Sequence, residues 1–88
     1  MKTAFDEYNR IVASIPDNIH KEVDMEMAVS NRIYNLMIQK GLSKAEFARL
    51  IGKRPCEVTK WLSGQHNFTL STLAMLSSFF GQPIITVN

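Results

Sequence analysis

Apolar residues recur at helical spacing in five stretches of this chain, most of them ended by a proline or glycine. Phe5, Tyr8, Ile11, Val12 and Ile15 predict a helix over residues 3–15, capped by Thr3 and ended by Pro16. Pro16-Asp17-Asn18 reads as a turn. A second helix is expected from about residue 23 to 40, with Met27, Ala28, Ile33, Leu36 and Met37 on its apolar face and Gly41 as terminator. Met25, Val29, Tyr34 and Ile38 fall partly off that stripe. Ser43-Lys44-Ala45-Glu46 reads as a capping box opening a third helix, whose inward residues are Phe47, Ala48 and Ile51 and which stops at Gly52.

Pro55 suits the first position of a fourth helix, because its missing N–H needs no partner there. That helix runs to about Ser63, with Val58 and Trp61 inward and Leu62 partly so, and Gly64 ends it. Thr69 caps a fifth helix with Leu70, Leu73, Ala74, Leu76 and Phe80 at core spacing, closed by Gly81 and Pro83. Residues 84–87 are β-branched throughout and predict an extended segment or short strand. The pattern is all-α. It divides into an N-terminal helical extension (1–22), a helical domain (23–81) and a C-terminal extended segment (82–88).

Residues 42–64, LSKAEFARLIGKRPCEVTKWLSG, meet four independent demands of a tight helix pair. The close crossing needs a small side chain, which Ala48 supplies. The turn needs a residue tolerant of positive φ, which Gly52 supplies. The next helix needs two inward anchors three apart, Val58 and Trp61. Its opposite face is then left free, polar and basic.

This segment resembles the Cro/C1-type helix-turn-helix family, also called the XRE family. The likeness rests on Ala48, Gly52, Val58, Trp61 and the closing Ser63-Gly64 before a capped helix, and it covers roughly residues 24–80. It implies a five-helix fold similar to the repressor domain of lambdoid phages, with the fourth helix in the DNA major groove. Base-edge positions would then be Arg54, Pro55, Cys56, Thr59 and Lys60. Pro55 and Cys56 depart from the Gln, Ser or Thr usual there. Readout would lean on Arg54 and Lys60, either able to meet guanine O6 and N7, while Pro55 and Cys56 can touch a thymine methyl. Glu57 would accept from cytosine N4 or repel phosphate.

Phosphate contacts would come from Ser43, Lys44 (where the family often has Gln), Lys53, Ser63, Gln65, His66 and Asn67. The run KWLSGQHNFTLSTL followed by GQPIITV is further similar to the antitoxins of HigBA-type toxin–antitoxin pairs.

Charge sharpens this picture. The overall formal charge of +2 is small, but residues 41–68 carry five bases against two acids, whereas residues 1–40 carry five bases against six acids and residues 69–88 carry no charge. A basic centre suits a phosphate backbone, and a neutral tail suits a buried surface or protein contact. The lone Cys56 excludes an internal disulfide and favours a reducing compartment. No run of about 18 apolar residues predicts a membrane span, and the mixed-charge start does not read as a signal peptide. A cytoplasmic protein is expected. His20 and His66 lie far apart without a cysteine pair, so no metal or other cofactor is expected. No nucleophile–base or phosphate-loop motif predicts an enzyme.

The expected function is a sequence-specific repressor acting on double-stranded DNA as a homodimer at an inverted repeat, its groove helices about 34 Å apart. Residues 84–87 are the expected dimer contact. The alternative is an antitoxin that silences a HigB-like messenger ribonuclease and represses its own operon. Its toxin-binding surface would be residues 1–22, whose acids (Asp6, Glu7, Asp17, Glu22) suit a basic partner.

Overall fold

The computed structural model describes residues 16–86. The helix expected over residues 3–15 and position 87 lie outside the described residues. Four α-helices follow one another: α1 (Asp17–Gln39), α2 (Lys44–Ile51), α3 (Pro55–Trp61) and α4 (Leu70–Phe80). The fold is all-helical, and no strand forms among the described residues.

α1 begins earlier than its periodicity suggests, and the turn expected at Pro16-Asp17-Asn18 is its first turn. Pro16 is the N-cap, with φ −56° and ψ 143°, and its carbonyl accepts from the N–H groups of Ile19 (3.0 Å) and His20 (3.3 Å). A proline before the helix loses nothing by lacking an N–H, and Asp17 places negative charge against the positive helix end. The 23-residue helix is therefore roughly 34 Å long and runs unbroken past residues 22 and 23.

Only its second half enters the core, through Val29, Ser30, Ile33, Leu36 and Met37. The stripe is thus 29, 33, 36 and 37, in the i, i+4, i+7, i+8 phase of a helix face. Val29, expected off the stripe, is 6% exposed, whereas Met27, expected on it, is 51% exposed and Ala28 also faces outward. The first half of α1 is an arm that leaves Ile19, Val23 and Met25 substantially exposed.

Phe47 of α2 is the hub of the core. Its ring centroid lies 6.1 Å from that of Trp61, 5.5 Å from Phe79 and 5.3 Å from Phe80. Val58, Leu76 and Ile33 close around it. In α4 the core residues are Leu73, Leu76 and Phe80, while Leu70, at the first helical position, is 78% exposed and Ala74 points outward. The phase of α4 is set by its packing on Phe47, so two apolar residues at acceptable spacing face solvent.

The C-terminal segment folds back on its own chain. Ile84 is buried in the core, and its N–H donates to Ser77 Oγ at 3.1 Å. Arg32 grips the same segment, its Nε and Nη2 each donating to the Pro83 carbonyl at 3.2 Å and Nη2 also to Gln82 Oε1 at 3.3 Å. Bends, not a strand, occupy residues 84 and 85, where the Ile84 N–H is taken by Ser77 of α4 and the preceding Pro83 carbonyl by Arg32 of α1.

Candidate nucleic-acid interface

The helix pair α2–α3 is assembled by local hydrogen bonds. Ser43 Oγ accepts from the Glu46 N–H at 3.2 Å and donates to Glu46 Oε1 at 2.9 Å, so its hydroxyl is fully used in capping α2. Gly52 ends α2 at φ 74°, and the Lys53 N–H donates to the Ala48 carbonyl at 2.9 Å. The turn then delivers Pro55 as the first residue of α3. Glu57 Oε2 accepts from the Arg54 N–H at 3.0 Å, which completes the entry to the helix. An arginine side chain has no acceptor, so the capping runs in this one direction. Glu57 is therefore a helix-starting carboxylate, a role its sequence position had not disclosed.

Val58 and Trp61 anchor α3 inward. Arg54, Pro55, Cys56, Thr59 and Lys60, the five expected base-edge residues, are all exposed. Pro55 and Cys56 are the apolar members of that set. The Thr59 hydroxyl donates to the Pro55 carbonyl at 3.1 Å and accepts from Lys44 Nζ at 3.5 Å. Lys44, on α2, thereby leans across onto α3.

On the other flank, Lys53, Glu57, Lys60, Trp61, His66 and Thr72 line a recess of about 240 Å³. Two lysines and a histidine line it beside one glutamate, a set of residue types that suits a phosphate oxygen. The His66 ring stands edge-on to Phe68, with centroids 4.7 Å apart and an interplanar angle of 86°. Ser63 is engaged internally, donating to the Lys60 carbonyl at 2.7 Å and accepting from the Gln65 N–H at 3.1 Å. Gln65 is exposed. Asn67 is not brought to this recess. It lines a separate, mainly apolar one of about 300 Å³ with Asn18, Met25, Val29, Phe68 and Ile85.

Sequence reasoning passed over Ser30. It is the buried polar residue of the core, donating to the Trp61 carbonyl at 2.6 Å and accepting from the Gly64 N–H at 3.1 Å. Its signal was a small polar side chain between Val29 and Ile33 on the true core face of α1. Among the described residues no group of three His, Cys, Asp or Glu side chains converges on a metal-sized site, and no helix is long and apolar enough to cross a membrane.

Comparison with known proteins agrees with this geometry. The chain is 34% identical over 85 residues to "Antitoxin HicB 2" of Photorhabdus laumondii subsp. laumondii, an alignment that takes in 91% of this chain and 61% of that relative's length. No solved structure matches. The model of the helix-turn-helix family matches residues 33–86, a span that holds α2, α3, their turn and the whole recess around Lys60. The chain belongs to the Cro/C1-type (XRE) helix-turn-helix family.

Proposed function

We propose that the chain is a sequence-specific DNA-binding regulator that works without chemistry, as a homodimer occupying an inverted repeat at its own promoter. The observation that carries this reading is the exposed surface of α3. Arg54, Pro55, Cys56, Thr59 and Lys60 face outward while Val58 and Trp61 lock the helix to the core. Arg54 is the chief base reader in this reading, with Pro55, Cys56 and the Thr59 methyl available to thymine methyl groups. Lys53, Lys60 and His66 offer a phosphate recess at one flank, and Gln65 extends the positioning contacts. A cytoplasmic setting fits this role.

Selection of bound duplexes from a random pool tests it. Recovery of one motif in inverted repeat, with affinity that falls steeply as salt rises, is the expected result. Weak binding that ignores sequence would overturn it.

A second reading, that the same protein also silences a toxin, is favoured by the antitoxin name of its relative. That name differs from the HigBA-type likeness of residues 60–87, so a HigB-like messenger ribonuclease is one partner to try and not the sole one. The exposed arm of α1, with Ile19, Val23 and Met25, supports a protein contact beside the acids Asp17 and Glu22. Co-expression with the product of an adjacent small basic gene should yield a stable complex and relieve growth arrest. Unrelieved arrest would remove this reading and leave the regulator intact.

A further inference from the structure

We propose that Lys44, a residue of α2, reads a guanine edge in the operator and that Thr59 holds its ammonium in place. The inference rests on the DNA-binding reading of α3 and changes the part Lys44 plays in it. At the first position of α2, Lys44 would ordinarily serve a backbone phosphate. Its charge, however, sits at the positive end of that helix, an unfavourable place for a cation. The side chain instead crosses to α3, where Nζ lies 3.5 Å from Thr59 Oγ1.

The hydroxyl at that point is oriented. Its single proton goes to the Pro55 carbonyl at 3.1 Å, so its oxygen faces Lys44 only as an acceptor. An ammonium has three donors, and one used on Thr59 leaves two for a base. Both residues are exposed, so the contact costs little desolvation and the ammonium stays accessible to a ligand.

Between Arg54 and Lys60, the outer side of α3 offers few donors of its own. Pro55 has no N–H, Cys56 is a weak donor, the Thr59 proton is engaged, and Glu57 is committed to the Arg54 N–H. Because Thr59 is itself an expected base-edge residue, an ammonium held against it belongs with that set and not with the recess around Lys53 and Lys60. Two donors from one point match O6 and N7 of a single guanine.

The test uses the full chain. Duplexes are selected from a random pool, and affinities are then measured for the selected site and its single-base variants. The comparison covers the wild type, Lys44→Ala, Thr59→Val and Lys53→Ala. Lys44→Ala should lose on the order of tenfold discrimination at one G·C pair per half-site and keep its preferences elsewhere. Thr59→Val keeps the charge and removes the acceptor, so it should loosen the same position in part. Lys53→Ala, a recess residue, should weaken all sequences alike and lower the salt slope by about one per protomer.

If Lys44→Ala behaves as Lys53→Ala does, or changes nothing, the inference is overturned. Unchanged discrimination in Thr59→Val overturns the holding role. A wild type that selects no motif overturns instead the reading of α3 on which this one rests.

Discussion

The Ser30 hydroxyl donates to the Trp61 carbonyl at 2.6 Å, joining the middle of α1 to the last residue of α3. The same oxygen accepts from the Gly64 N–H at 3.1 Å, so one buried side chain satisfies two backbone groups at the end of α3. Backbone groups at helix ends need such partners. Ser30→Ala should therefore cost about 1–3 kcal/mol, read as a lower thermal midpoint by circular dichroism. Affinity for every DNA sequence should fall together, because α3 as a whole loses its seat. An unchanged midpoint would show that water replaces the link.

The turn between the two helices depends on Gly52, whose φ is 74°. Nothing lies within 4 Å of a Cβ built there, so a side chain would meet no steric obstacle and the cost is purely one of backbone conformation. Gly52→Ala is expected to destabilise by roughly 1–2 kcal/mol, and Gly52→Asn by less, since Asn tolerates the left-handed region better. Urea denaturation of the two variants side by side gives the order. Equal losses would mean that the strain is relieved elsewhere in the turn.

Glu57 serves the helix, and its charge would oppose an anionic ligand. Its carboxylate accepts from the Arg54 N–H at 3.0 Å on a face otherwise rich in cations. Glu57→Gln should cost about 0.5–1 kcal/mol of stability, since a neutral amide oxygen is the weaker acceptor. It should also raise affinity for random DNA by removing a charge that repels phosphate, an effect strongest at low salt. Fluorescence anisotropy with unrelated duplexes at two salt concentrations reads this directly, and reduced non-specific affinity would contradict it.

Arg54 and Lys53 are neighbours with different expected parts. Arg54 opens α3 on its outer side, and Lys53 lines the recess proposed for phosphate. Arg54→Ala should relax preference at one base position, a loss of about 1–3 kcal/mol for the preferred base. Lys53→Ala should leave the ranking of sequences unaltered. Competition binding against single-base variants of the selected site separates the two, and interchange of their profiles would reassign both.

The tail bears on any dimer. Ile84 is buried at 5% exposure, and its N–H is bonded to Ser77 Oγ, so this residue serves its own core. Ile84→Ala should lower the stability of the protomer by about 2–4 kcal/mol, measured by chemical denaturation. Deleting the tail would then perturb folding as well as assembly. Thr86→Lys, at an exposed position, is the cleaner probe of oligomeric state by light scattering, and it should leave the midpoint within about 0.5 kcal/mol of the wild type.

Much of the α2–α3 hairpin was legible before any coordinates, because its determinants are local. A cap acts over three residues, as Ser43 does on Glu46. A positive φ is a property of a single residue, here Gly52 at the turn. Proline at a first helical position and two anchors three apart are properties of a single turn, and Pro55, Val58 and Trp61 behave accordingly. These short-range rules placed α3 and left its outer residues exposed.

Other features depend on which elements meet, and only packing decides that. Local periodicity tolerated a stripe through Met27 and Ala28, and the α1 interface chose Val29. Spacing allowed Leu70 a core position, and the docking of α4 on Phe47 turned it outward. A β-branched run predicted extension, and Arg32, some fifty residues away in sequence, folded it onto the core. Side-chain bonds between distant segments (Ser30 to Trp61, Lys44 to Thr59) leave no periodic trace in a sequence, since each joins residues whose closeness is a product of the fold.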